Sequence, residues 1–286
     1  MFSADQYQLV DFGMGRKLER FGPVLLDRPA PGLEAVQHNC SPAVWQQAAA
    51  RYERTTAERG LWRAKFPLPG TWCISHAKSV LEVKPTEFGH LGVFPEQAVN
   101  WDWICQQVSG APRPLKVLNL FAYTGGSTLA AAAAGAEVVH VDGPQNTVQW
   151  ARQNAALSGL ADEPIRWIVE DALKFVRREL KRDNRYDAVI LDPPSYGHGP
   201  RGEVWKLEEE LPMLLSLCGE LTAGGGRFML LTCHSPGFDQ RAAKHHLADA
   251  IDDPDAGTMS TSELFLETSD GRRLPSGVVA RWSRME

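Results

Sequence analysis

The chain has 286 residues, 43% of them apolar and 23% charged, with a formal net charge of −5. That length holds one large domain, or one domain with a small appendage, and the composition is ordinary for a globular protein. The sequence has no apolar run of about eighteen residues and no basic or apolar leader at Met1–Tyr7, which argues against a membrane span and a secretory signal. Cysteines 40, 73, 105, 218 and 233 form no CxxC pair and are odd in number, which argues against a disulfide framework or a metal cluster and leaves a reducing cytoplasm as the expected location.

Charge is uneven along the chain. Residues 1–84 carry eleven Lys/Arg and eight Asp/Glu, a balance of +3; residues 85–286 carry nineteen and twenty-seven, a balance of −8. Polyanion binding gains strength from clustered Lys and Arg. The sequence offers no strong basic patch, although a local groove can be basic on an acidic protein.

In chain order, residues 1–85 read as a small β-rich domain. Tyr7–Phe12 and Val24–Leu26 are short apolar runs, with Gly13–Arg20 as the turn between them. Pro29-Ala30-Pro31-Gly32 breaks the chain. Ser41-Pro42 then predicts a helix over 43–56, with Ser41 as N-cap and Pro42 at the first position. Trp72–Val83 has the alternation of a strand pair. Residues 86–114 read as a connection: a loop, a helix over Ala98–Ser109 with Trp101, Ile104, Cys105 and Val108 on one face, and a linker, Gly110–Pro114. The segment Phe88–Gln97 mixes glycines and aromatics. It suits a loop that closes over a ligand, or an apolar staple between domains.

From residue 115 to 286 strands and helices alternate. Strands are predicted over 116–121, 137–141, 165–169, 186–191 and 226–232, and helices over 127–134, 145–157, 171–182 and 204–221. Such alternation implies a parallel sheet with helices on both faces. A helix near Phe238–Ile251 follows. Two more strands, Ser262–Glu267 and Val278–Trp282, flank an Asp270-Gly271 turn and suggest an antiparallel edge. The expected class is therefore α/β, with parallel strands, an antiparallel C-terminal edge and a β-rich N-terminal domain.

Ligands of such sheets lie beyond the carboxyl ends of the strands, and five features fall there. Val117–Gly126 is a buried strand running into a glycine turn, where backbone can approach a ligand without a Cβ in the way. The helix that follows offers free N–H groups. Asp142 ends the next strand, about twenty positions on, where a carboxylate accepts both hydroxyls of a ribose or caps the following helix. Asp171 follows the third strand and either accepts from an adenine amino group, with the Ala172 N–H donating to the ring, or serves as a helix N-cap. Asp192-Pro193-Pro194-Ser195-Tyr196 ends the fourth. Its prolines hold Asp192 rigidly, which suits a group that faces a target atom or simply a stiff turn. Tyr196 could stack on a planar substrate. Cys233 ends the fifth strand and is either core packing or a nucleophile. Adjacent strand residues point to opposite faces, so His234 need not touch it. Together the glycine turn, the acid and the D-P-P-aromatic segment fit methyl transfer from S-adenosyl-L-methionine (SAM) better than dinucleotide redox chemistry.

Leu118–Gly126, Val141-Asp142, Asp171, Leu191–Tyr196 and Thr232-Cys233-His234-Ser235 resemble the SAM-dependent methyltransferases related to the bacterial 23S rRNA cytosine-5 enzymes. Gly89–Gln97 is similar to that family's glycine-rich stretch ending in a Gln. The resemblance implies a Rossmann-like class I methyltransferase sheet. It also implies SAM contacts at Phe121, Tyr123, Thr124, Gly125, Asp142, Asp171, Ala172 and Asp192. Cys233 and Asp192 would be catalytic, Tyr196 and Gln97 would lie on the substrate side, and the substrate would be rRNA-type RNA, methylated at cytosine C5 without a metal. The chain departs from the pattern in two places. Its N-terminal segment is not the family's PUA domain, which places it nearer a bacterial subgroup without one. It has Thr-Cys-His-Ser where rRNA members have Ser-Cys-Ser. Asn119 stands where many methyltransferases have an acid, which this family also tolerates. Two other functions remain open: N-methylation of an exocyclic amine or a small molecule with Cys233 as bystander, and a catalytically silent SAM-fold binding protein.

Overall fold

In the computed structural model residues 1–56 and 59–285 are described. They form two compact units, one of the described residues up to 98 with 265–275, the other of residues 99–264 with 276–285.

The first unit holds β1 (Tyr7–Gly13), β2 (Arg16–Phe21), β3 (Val24–Pro29), α1 (Pro42–Trp45), β4 (Ala50–Arg54), β5 (Gly60–Ala64), β6 (Trp72–His76) and β7 (Ser79–Val83). The first five strands form one sheet in the order β1-β2-β3-β4-β5, and β6 and β7 form a separate hairpin. The turn predicted over Gly13–Arg20 is only Met14-Gly15, and Arg16 already pairs with Gly13. The predicted helix over 43–56 is a correction: it stops after one turn, and β4 replaces the rest. Ala50 and Tyr52 are buried while Arg51 between them is exposed. An extended chain puts both into the core and joins β3 in parallel and β5 antiparallel. Sheet pairing overrides the local capping signal.

Asp11 ties this unit together. It lies at a bulge in β1, is 1% exposed, and accepts from Cys40 N at 2.8 Å, Trp45 Nε1 at 2.8 Å and Arg272 NH2 at 2.9 Å. Burial alone would raise its carboxyl, but the N–H groups of Cys40, Trp45, Asn39 and Phe12 outweigh it and hold it below the usual range.

The second unit opens with α2 (Ala98–Ser109), whose first residue still belongs to the other unit. It continues through β8 (Lys116–Leu120), α3 (Gly126–Ala133), β9 (Glu137–Asp142), α4 (Gln145–Leu157), β10 (Ile165–Val169), α5 (Ala172–Lys181), β11 (Ala188–Leu191), β12 (Tyr196–His198), β13 (Val204–Lys206), α6 (Leu207–Thr222), β14 (Phe228–Cys233), α7 (Gln240–Ala250), β15 (Gly257–Glu267) and β16 (Arg273–Arg284); the end of β15 from Phe265 and the start of β16 up to Pro275 belong to the first unit. The main sheet has the order β10-β9-β8-β11-β14-β16-β15. Its first five strands are parallel, and β16 runs antiparallel to β14. The predicted parallel sheet with an antiparallel edge is the one observed. The central strands are buried on both faces, as their continuous apolar runs require. On one face Leu118, Leu120, Val189, Leu191 and Leu231 pack against Phe175, Leu214 and Leu247. Full burial of each such side chain stabilises by about 1.5–3 kcal/mol. Strand order reverses between β8 and β11, so the carboxyl end of that gap is where a ligand crevice forms.

Candidate active site

The turn after β8 carries three residues in the left-handed region: Phe121 (φ 53°), Tyr123 (φ 49°) and Gly125 (φ 93°). Two of them have side chains, which costs roughly 1–3 kcal/mol each. Neighbouring elements hold the turn in this shape. Ala122 N donates to Val141 O at 3.1 Å and Tyr123 N to Asp142 Oδ2 at 2.8 Å. Asn154 Nδ2 donates to Thr124 O at 2.9 Å, and the Phe121 ring packs 4.8 Å from that of Trp205. A Cβ on Gly126 would come within 2.3 Å of the Trp101 ring, so the small residue there serves the packing of α2 against α3. Under the turn, Asn119 Nδ2 donates to Thr128 Oγ1 at 2.9 Å, and Thr128 Oγ1 lies 2.9 Å from His140 Nδ1. His140 is fully buried, and burial pushes its imidazole down to about 3, so the ring is neutral. This explains Asn119 as a buried link rather than a missing acid.

Asp142 ends β9, half-buried. Burial pushes its carboxyl up to about 6, against the N–H groups of Tyr123 and Gly143 that favour the anion. Asp171 caps α5: its carboxylate accepts from Lys174 N at 2.9 Å, and Ala172 begins the helix, buried. Asp192 follows β11. Its Oδ1 accepts from Thr232 Oγ1 at 2.5 Å and lies 3.3 Å from His234 Nε2. The two prolines after it are anchored by Trp205 Nε1, which donates to Pro194 O at 2.7 Å. Tyr196 is exposed on the β12–β13 hairpin, its hydroxyl 3.3 Å from His198 Nε2.

Cys233 ends β14 and is 1% exposed. It sits with Leu231 and Leu247 in the core cluster, whereas Thr232, one residue earlier, points to the other face and reaches Asp192. Burial pushes its thiol up, and the Asp192 charge adds to this, while the backbone and hydroxyl of Ser235 pull the other way. Gln97 belongs to the first unit, buried at the end of the single turn Pro95–Gln97. The structure thus brings Phe121, Tyr123, Thr124 and Gly125 to Asp142 on one side of the β8 end, and Asp192 to Thr232 and His234 on the other. Trp101, Thr128, Trp205 and Thr232 were not legible as site residues, because each acts through contacts nine or more positions away. His234 was visible only as a neighbour of Cys233.

A doubly wound parallel sheet, a strained glycine turn after its first strand and carboxylates at the ends of the strands beside it define a Rossmann-like methyltransferase. The carboxylate at the end of β9, held on the backbone N–H groups of Tyr123 and Gly143, is of the kind that could accept the ribose hydroxyls of a nucleoside cofactor. The profile of the S-adenosylmethionine-dependent methyltransferase family matches residues 43–239. The chain is 33% identical over 167 residues to the ribosomal RNA large subunit methyltransferase I of Aeromonas hydrophila, covering 57% of this chain and 41% of that protein. It is 31% identical over 169 residues to the ribosomal RNA large subunit methyltransferase K/L of Hahella chejuensis, covering 56% of this chain and 22% of that protein. The crystal structure of the SAM-dependent methyltransferase from Agrobacterium tumefaciens superposes with a TM-score of 0.93 at 38% identity, covering 99% of this chain and 92% of that one. The chain belongs to the SAM-dependent methyltransferase family, and its cofactor is SAM. It spans less than half the length of the two rRNA methyltransferases it matches. Among the described residues, no helix is long and apolar enough to cross a membrane.

Proposed function

We propose that the chain methylates a base in RNA, of the ribosomal type acted on by its relatives. The placement of Asp192 carries this reading: a carboxylate held by a Pro-Pro turn, a threonine and a histidine at the crevice edge, with the exposed Tyr196 ring four residues on. Phe121–Gly125, Asp142, Asp171 and Ala172 would hold the cofactor. The Asp142 carboxylate would accept the ribose hydroxyls, and the Ala172 N–H would face the adenine ring while Asp171 keeps its cap. Bound SAM supplies a methyl group on an electrophilic sulfonium. Tyr196 would orient the base, and flipping would be needed for any base that starts in a duplex.

Two chemistries fit the same edge. In cytosine C5 methylation Cys233 attacks C6 and Asp192 assists. In N-methylation Asp192 accepts the hydrogen of an exocyclic amine. The burial of Cys233 and its raised thiol favour the second in the arrangement described, since a thiolate nucleophile forms where a nearby cation or open solvent stabilises it. The test is mass-spectrometric profiling of nucleosides in RNA from a deletion strain and its parent. Loss of an N-methylated base supports the amine chemistry, and loss of 5-methylcytosine supports Cys233. An unchanged profile contradicts the RNA reading.

A further inference from the structure

The proposed function gives His234 no task beyond holding Asp192, yet its surroundings are specific. Nδ1 lies 2.6 Å from the carbonyl oxygen of Ser276. A carbonyl only accepts, so Nδ1 carries a proton. In a neutral ring Nε2 then presents a lone pair, and it faces Asp192 Oδ1 at 3.3 Å. A proton placed between these two facing acceptors turns them into a charge-assisted hydrogen bond. Thr232 Oγ1 donates to the same Oδ1, so two residues from the end of β14 fix the carboxylate. The seat of the ring is built by a glycine. A Cβ on Gly277, whose φ is +124°, would come within 2.8 Å of His234 Nδ1 and of Cys233 O. Both side chains of the pair are 32% exposed, which leaves a path to water.

We propose that Asp192 and His234 form a proton-accepting pair: Asp192 takes the proton released by the methylated base, and His234, as its positioning partner, relays that proton to solvent. The proposal rests on the methyl-transfer reading above and holds for either target atom. The base atom, nitrogen or carbon, gains a bond to the methyl carbon as the carbon–sulfur bond breaks, its electron pair staying on sulfur. The same base atom gives up one proton to the Asp192 carboxylate. That proton passes to Nε2, giving an imidazolium that donates from Nδ1 to Ser276 and from Nε2 to Asp192. Release of one proton to water restores the starting pair.

Nitrogen-15 spectra of the histidine rings in the full labelled chain test the pair without any substrate. His234 should be an Nδ1–H tautomer at high pH. Its titration midpoint should fall in Asp192→Asn, because the carboxylate that stabilises the imidazolium is gone. A His234 resonance indifferent to Asp192→Asn overturns the proposal. The second arm follows methyl transfer from labelled SAM to total RNA of cells that lack the protein. His234→Ala should lower kcat about 10²-fold, the usual scale for a positioned acid–base group, with SAM affinity and the KM for RNA retained. Added imidazole should restore part of the loss. His234→Gln can still donate to Ser276 O but cannot relay a proton, so it should be as slow and should not respond to imidazole. Wild-type turnover in both variants overturns the proposal. If the parent protein labels no RNA, the proposed function fails, and the spectra still decide the pair.

Discussion

Replacing Asp142 by asparagine should make the chain more stable at neutral pH and poorer at binding SAM. Burial pushes this carboxyl up to about 6, whereas an unperturbed aspartate titrates at 3.8. Between those values the folded chain binds more protons than the unfolded one. Stability therefore falls as pH rises from about 4 to about 6, and the full penalty stands above that window. Two units at 1.36 kcal/mol each amount to about 3 kcal/mol. Asp142→Asn keeps an oxygen for the Tyr123 N–H but loses one acceptor toward Gly143, which offsets about 1–2 kcal/mol. The net expectation is a gain of about 1–2 kcal/mol at pH 7.5 that turns into a net loss of about 1 kcal/mol by about pH 4. Urea unfolding of the cofactor-free protein at the two pH values measures it. Calorimetry should show SAM affinity weaker by about 1–3 kcal/mol, because ribose hydroxyls lose a charged acceptor. A variant no more stable than the parent at pH 7.5, or one that binds SAM equally well, would refute this account of Asp142.

Other consequences follow from the packing. Gly126→Ala should cost about 1–3 kcal/mol or more in denaturant unfolding, because the added Cβ lands 2.3 Å from the Trp101 ring; an unchanged midpoint would remove that constraint. Thr128→Val should cost about 1–3 kcal/mol for each buried group it strands, the Asn119 amide and His140 Nδ1, again read from unfolding midpoints. Asp11→Ala should destabilise the N-terminal unit by about 3–5 kcal/mol, since it leaves Arg272 with a lost partner and several N–H groups unpaired. Because the folded Asp11 titrates below its ordinary value, its contribution is present above about pH 4 and lost as pH falls further. The parent should therefore lose more stability than Asp11→Ala on acidification, as followed by urea midpoints.

The parallel sheet was legible because its strands are continuous apolar runs, such as Ala188–Leu191 and Phe228–Cys233, separated by helices with clear starts. The glycine turn and the acid at 142 were legible for a similar reason: a left-handed turn leaves glycine in the sequence, and a strand that ends on backbone N–H groups leaves a carboxylate. The helix expected over 43–56 failed because Ser41-Pro42 carries a strong local signal, while the pairing of Ala50 and Tyr52 with β3 and β5 lies elsewhere in the chain. The contact of His234 with Asp192 was hidden for the same reason. It spans 42 positions, and depends on Ser276, another 42 beyond, and on Gly277 next to it. Strand alternation indicated only that His234 need not touch Cys233; that Thr232 takes the face toward Asp192 came from the structure.

The central claim is that a methyl group passes from SAM to an RNA base at the edge where Asp192 sits. The most direct measurement supplies the purified chain with methyl-labelled SAM and total RNA from cells lacking the protein, then digests the RNA to nucleosides. The account predicts label in one modified base with the parent protein, and a fall of about 10²-fold or more with Asp192→Asn. Absence of label in RNA, or an Asp192→Asn protein as fast as the parent, would contradict it.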